Sequence, residues 1–179
     1  MLNVEDTALI VIDVQGKLAE IVDESDFILR NIETLIKGAK ILNIPIVYVE
    51  QYPEGLGPTV EQLQRHLEGA HYVKKRTFSA FLEDSFVEML AKLNRHSLLI
   101  AGIESHVCVY QTVRDLLKQS YNVEVVADGV SSRTAQNRQI GIERMKAEGA
   151  SITSTEMVLF DLMKTSTHPQ FREISALIK

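Results

Sequence analysis

Short β-rich apolar runs recur along this chain, each followed by a stretch with helical spacing, and this alternation limits the available folds more than any other feature. Thr7 to Val14 (TALIVIDV), Ile44 to Glu50 (IPIVYVE), His71 to Lys75, Leu98 to Ala101 (LLIA), Val123 to Ala127 and a weak Ser151 to Ser154 read as six strands. Pro45 stands at the start of the second, where proline is tolerated. Between them, Phe27, Ile28, Ile32, Leu35, Ile36, Ala39 and Leu42 fall on one helical face, with Asn43 as a stop. Thr59 to Leu67, Phe81 to Leu93 and the run from about Ser105 onward read as further helices. So do a segment capped by Ser131 or Ser132 and ending before Gly149, Glu156 to Met163 (capped by Ser154 or Thr155), and His168 to Ile178. Strands that alternate with helices imply parallel pairing with both sheet faces covered. The expected architecture is a doubly wound, three-layer αβα fold around a six-stranded parallel sheet.

The 179 residues contain no repeat, linker or low-complexity tract, so one domain over residues 1–179 is expected. The balance of 19 basic and 24 acidic residues, a net charge of −5, argues against nucleic acid or an acidic membrane as partner. A single cysteine cannot form an internal disulfide, which fits a reducing compartment. The N-terminal MLNVEDTALIVIDVQ has no basic segment ahead of an apolar stretch, so no signal peptide is read there, and no apolar run is long enough for a membrane span. The expectation is a cytoplasmic protein acting on a small molecule.

Three residues then stand out at one edge of the expected sheet. Asp13 is a lone charge at the carboxyl end of the first strand, where α/β sheets gather their ligands and where an unpaired carboxylate would be costly core filler. Lys75 ends the third strand. Cys108 follows the fourth, after Gly102, which should break that strand. A cysteine at a helix N-terminus ionises more readily, and the thiolate is the nucleophile; a lone cysteine is equally a small buried hydrophobe. Asp13 could accept the thiol proton and return it to a leaving amine, while Lys75 could hold both groups in their charged forms. Strand alternation separates Lys74 from Lys75, and only one of them can face such a site. His106, two residues before Cys108, ranks below this trio as a partner, and His71 reads as a strand residue without a role. No phosphate-binding GxGxxG or GxxxxGK[ST] occurs.

Four segments, ALIVIDVQ at 8–15, VKKRTFSAF at 73–81, IAGIESHVCV at 100–109 and VVADGVSSR at 125–133, make the chain resemble the isochorismatase-like cysteine hydrolases over nearly its whole length. EQYPEGLGPTV at 50–60 and STEMVLFDL at 154–162 look most like the isochorismatase domain-containing proteins. The resemblance implies the Rossmann-like fold of that family and a catalytic triad of Asp13, Lys75 and Cys108. Asp13 matches the D-x-Q motif, Lys75 lies four residues before the serine of SAF, and Cys108 six after Gly102. It also implies a cis peptide between Ile103 and Glu104, so that the Glu104 and Cys108 backbone N–H groups form an oxyanion hole. Nicotinamidase-like members carry a D-x-H and a further histidine for a metal; the matching stretch here is V-E-Q-Y, so no metal and no cofactor is expected. True isochorismatases lack the cysteine, which makes isochorismate a poor substrate guess.

The reading is a hydrolase of a small amide- or ureide-type C–N bond working through a thioester acyl-enzyme. Its alternative is a non-catalytic binding or scaffold protein that keeps the fold. Gln15, Gln51, Tyr52 and Phe78 are candidates for the substrate pocket, with Gln15 able instead to hold the Asp13 loop. An apolar face around Met157 to Met163 would suit self-association, and the resemblance implies a homo-oligomer.

Overall fold

The computed structural model describes residues 2–179. Six parallel strands form one sheet: β1 (Thr7–Ile12), β2 (Ile46–Gln51), β3 (His71–Lys75), β4 (Ser97–Ile103), β5 (Asn122–Ser131) and β6 (Ser151–Thr153). Their spatial order is β3-β2-β1-β4-β5-β6. The chain therefore winds outward from β1 through β2 to β3, returns, and winds the other way from β4. Every residue of β1 and β4 is buried, which is why these two strands read as unbroken apolar runs rather than alternating ones.

One face is covered by α1 (Gly16–Ile21), α2 (Ser25–Ile41), α4 (Glu61–Gln64), α8 (Thr155–Met163) and α9 (Phe171–Ile178), through residues such as Ala19, Ile32, Leu63, Val158 and Ile174. The single turn α3 (Pro53–Leu56) precedes α4 in the loop after β2. The other face is covered by α5 (Asp84–Leu93), α6 (Tyr110–Lys118) and α7 (Ala135–Ala147), through Phe86, Val113, Leu116 and Met145. Both faces of a parallel sheet are thus closed, as the alternating pattern requires. Asn43, in the left-handed region at φ 56°, follows α2 and turns the chain into β2.

Three local expectations give way to the structure. Gly102 does not break β4; it lies inside the strand at φ +129°, and a Cβ there would come within 2.1 Å of the Ile12 carbonyl oxygen. Glycine is required there by the close approach of β1, and it marks an irregularity rather than an end. The register of β4 against β5 shifts between Ile100 and Gly102, so β5 runs on to Ser131 rather than stopping near Ala127. That extension takes Ser131 into the sheet, and the N-cap of α7 is Thr134, whose side chain accepts the Asn137 N–H. On α8, Val158, Leu159, Leu162 and Met163 are buried, so the exposed apolar surface is confined to Met157 and Phe160. The cap of that helix is Ser154, which accepts the Met157 N–H.

Candidate active site

Strand order reverses on either side of β1, so the carboxyl ends of β1 and β4 flank the topological switch point at which open α/β sheets bind ligands. A cavity of about 170 Å³ lies there. Its polar lining comes from Asp13 and Gln15 after β1, Gln51 at the end of β2, and Glu104 and Cys108 after β4. Leu18, Leu56, Phe78, Ile103 and Val107 supply the apolar wall.

Asp13 adopts φ 53°, in the left-handed region that aspartate enters more readily than most residues. Its N–H donates to the Val49 carbonyl and its own carbonyl accepts the Gln15 N–H. The carboxylate lies against Lys75, with Nζ 2.6 Å from Oδ2 and both side chains almost fully buried. The contact is a close, buried ion pair. Lys75 ends β3 on the same face as buried Val73, while Lys74 points outward and pairs with Glu54. The Lys75 ammonium also donates to Gln51 Oε1 at 2.7 Å and to the Thr77 carbonyl at 3.0 Å. Cys108 completes the group, its thiol donating to the same Gln51 Oε1 at 3.3 Å. One carboxamide oxygen thus joins the lysine to the cysteine.

Cys108 lies in a π-helical turn, Ser105–Val109, that leads into α6. The Ile103–Glu104 peptide before it is cis, and among the described residues the Glu104 N–H has no acceptor. The turn is held from outside by three contacts. Ser105 Oγ lies 2.7 Å from Ser132 Oγ, His106 Nδ1 lies 2.9 Å from the same hydroxyl, and Glu104 Oε1 accepts both the N–H and Nε of Arg133. His106 is therefore engaged with Ser132. A Cβ on Gly141 of α7 would come within 2.6 Å of the Ser105 carbonyl carbon, so α7 packs directly on the backbone of this turn.

The electrostatics weigh against a resting thiolate: burial, and then the Asp13 charge, push the Cys108 thiol up to about 12, with Lys75 pulling the other way. Burial likewise raises Asp13, and the charge of Lys75 opposes that rise. The positive end of a helix is too weak to offset desolvation and a neighbouring carboxylate. Burial and the Asp13 charge both favour the neutral thiol.

Of the pocket candidates, Gln51 and Phe78 line the cavity and Gln15 does so while acting mainly as a clamp. The Gln15 carboxamide donates to the Gln51 and Gly57 carbonyls and accepts the Gln51 N–H. Tyr52 does not line the cavity. Its left-handed backbone, φ 41°, sends the ring outward beneath the Arg76 guanidinium, 4.1 Å from the ring centroid. Sequence reasoning passed over Glu50, a buried carboxylate that accepts the Thr59 N–H and hydroxyl and straps the 52–60 loop over the site. The signal that singled out Asp13, a charge at the end of an apolar strand, applied equally to Glu50. The apolar wall residues carried no such signal. Among the described residues, no group of three His, Cys, Asp or Glu side chains could share a metal ion.

A six-stranded parallel sheet flanked by helices is the fold that the isochorismatase-like resemblance implies. Comparison with known proteins agrees, and the chain belongs to the isochorismatase domain family: the family model matches residues 7–157. The secreted isochorismatase effector Isc1 of Phytophthora sojae (strain P6497) is 39% identical over 177 residues, covering 97% of this chain and 84% of that protein. Isochorismatase family protein 1B of Dictyostelium discoideum is 34% identical over 179 residues, covering 98% of this chain and 87% of the other. Among solved structures, the MAR1 ribonuclease of Caenorhabditis elegans matches with a TM-score of 0.94 at 38% identity, covering 99% of this chain and 91% of that one. No helix among the described residues is long and apolar enough to cross a membrane.

Proposed function

We propose that this protein is a cysteine-dependent hydrolase of a small amide- or ureide-type C–N bond, with Asp13, Lys75 and Cys108 as its triad. The observation that carries the reading is that Asp13 and Cys108 line one cavity while Lys75, buried behind it, is bound to Asp13 and joined to Cys108 through Gln51. Asp13 takes the thiol proton as Sγ attacks the substrate carbonyl, and the electron pair of the carbonyl moves onto oxygen. The Glu104 and Cys108 N–H groups receive that oxyanion. The intermediate collapses as Asp13 passes its proton to nitrogen; the C–N bond breaks, the amine leaves and a thioester remains. Water, losing a proton to Asp13, attacks the thioester; the C–S bond breaks, the acid departs and the thiol regains its proton. Lys75 keeps Asp13 available in its charged form, against the effect of burial.

A screen of small amides and ureides with wild type and Cys108→Ala in parallel tests this. Turnover confined to wild type, with a covalent acyl adduct on Cys108 when the reaction is quenched early, is the expected result. Equal rates in the two proteins would refute it. A folded protein with neither turnover nor adduct would be the scaffold alternative.

The C. elegans neighbour bears the name of a ribonuclease, so RNA belongs in the same screen. We favour a small molecule because the net charge is −5 and the one lysine at the site is fully buried against Asp13. The reading includes self-association through Met157 and Phe160 on α8 and a reducing, cytoplasmic location that keeps the lone thiol free. Light scattering that finds only the 20.1 kDa monomer would refute the former.

A further inference from the structure

We infer, resting on the hydrolase reading, that the site selects uncharged carboxamides with a compact apolar acyl group and discriminates against anionic acyl groups and ureides. The cavity of about 170 Å³ is walled on one side by side chains without polar atoms. That admits a branched acyl group of a few heavy atoms, not a polar chain with its own hydration. Leu18, Leu56, Phe78, Ile103 and Val107 face that space and offer no side-chain donor or acceptor.

The polar groups at the other end are few and mostly committed. Lys75 is occupied by Asp13, Gln51 and Thr77 and has no exposed side-chain surface. Glu104 is bound to Arg133, and both ends of the Gln15 carboxamide are taken by backbone. What remains is Asp13 Oδ1, the oxygen not paired with Lys75, with the Gln51 amide N–H₂ and the Glu104 N–H. Those suit a single amide group: its carbonyl oxygen meets the donors and its leaving nitrogen faces Asp13. A ureide brings a second set of N–H and C=O groups into the apolar half, where nothing pairs with them. An acyl carboxylate would meet no available cation, since the other nearby basic side chains, Lys74, Arg76 and Arg133, lie outside the lining on Glu54, Tyr52 and Glu104.

Matched p-nitrophenyl esters test this, because the acyl group varies while the leaving group stays constant. Freshly dissolved isobutyryl, succinyl and N-carbamoylglycyl esters at equal starting concentration are compared by the initial rate at which each acyl adduct on Cys108 appears in the intact mass of the protein, since the latter two also lose nitrophenol by cyclising on their own. Acylation of Cys108 by the isobutyryl ester should exceed that by the succinyl ester at least about 100-fold. It should exceed the N-carbamoylglycyl ester at least about 10-fold. Leu56→Lys, at a half-exposed wall position, should raise the succinyl-to-isobutyryl ratio at least about 10-fold by supplying the missing cation. Succinyl or carbamoyl transfer as fast as isobutyryl, or a ratio that Leu56→Lys leaves unchanged, would overturn the inference while leaving the hydrolase reading intact. A protein mass unchanged by all three esters would instead overturn the hydrolase reading, and the inference with it.

Discussion

Asp13→Asn separates the two effects that Asp13 has on Cys108. The carboxylate raises the thiol by its charge, and in the proposed reaction it also takes the thiol proton. The amide keeps the size of the side chain and removes both effects. At about 4 Å and an effective dielectric constant near 20, one unit charge is worth about 4 kcal/mol to a thiolate. At 1.36 kcal/mol per unit, that is about 3 pH units. This is a ceiling, because burial is the first cause of the rise and survives the substitution. The assay is the rate of iodoacetamide alkylation against pH, followed by mass, beside turnover of whichever amide the screen finds. In wild type the log rate should climb without a plateau to pH 10, as expected for a thiol near 12. In Asp13→Asn the profile should bend about 1–3 units lower, with faster alkylation at pH 8.5. Turnover should fall about 10²- to 10⁴-fold, the usual contribution of a general base. A variant that is more reactive to alkylation and nearly dead as a catalyst is the expected signature. An alkylation midpoint that stays put or rises in a folded Asp13→Asn protein would refute the reasoning.

Two further predictions follow from titrating groups. A thiol raised in the folded state gives stability that is fully present below its unfolded value near 9 and is lost as pH climbs toward about 12. Wild type should therefore lose about 1 kcal/mol more than Cys108→Ala between pH 9 and 10 in urea unfolding; parallel curves would count against a buried neutral thiol. Glu33 on α2 behaves oppositely: burial would raise it, but Lys37 and Gln62, with His66, outweigh that and bring it to about 2. Its contribution is present above about 4.5 and disappears as pH falls toward 2, so Glu33→Gln should remove about 1–2 kcal/mol of acid-sensitive stability, after discounting the half-exposed Lys37 and Arg65. Denaturant unfolding at pH 7 and pH 3 checks this; the same pH dependence in wild type and variant would exclude it.

The sheet was legible because burial on both faces leaves a mark that local structure alone does not: β1 and β4 are apolar throughout. Asp13 was legible for the complementary reason, a charge where such a run ends. His71 to Lys75 alternates, which puts Lys74 and Lys75 on opposite faces, and the spacing to Ser79 implied by the family resemblance assigned Lys75 to the interior. The misreadings fall where long-range packing overrides local preference. Gly102 looks like a strand breaker until the Ile12 backbone is placed against it. Ser131 looks like a cap until the shift in register carries β5 past it, where its hydroxyl donates to the Asp23 carbonyl. A helix terminus is visible in a sequence, whereas the burial and the neighbouring carboxylate that push the Cys108 thiol up are not. The apolar wall of the cavity could not be read at all, since its residues come from α1, α3, the loop after β3 and the π-helical turn.

Stability gives little reason for this chain to carry Asp13 and Lys75 where it does. Replacing a buried ion pair with apolar residues of similar volume is often neutral, or stabilising by about 1–4 kcal/mol. Asp13 adds a left-handed backbone and a buried carboxylate. The ladder does not need the pair, because β1 and β2 are joined by their backbones from Leu9 to Ile12. The arrangement does fix two acceptors around one thiol from a single ammonium. Lys75 holds Gln51 Oε1, which receives the resting S–H, and it holds the Asp13 carboxylate, which is left open to receive it next. In the proposed reaction the thiol proton has only to swing from the neutral acceptor to the charged one as the sulfur attacks. A thiolate facing Gln51 Oε1 would be opposed by that oxygen, so the thiol stays protonated until a carbonyl is present to take the electron pair. The cysteine would thus remain unreactive toward stray electrophiles in the free protein and become nucleophilic only in a filled site.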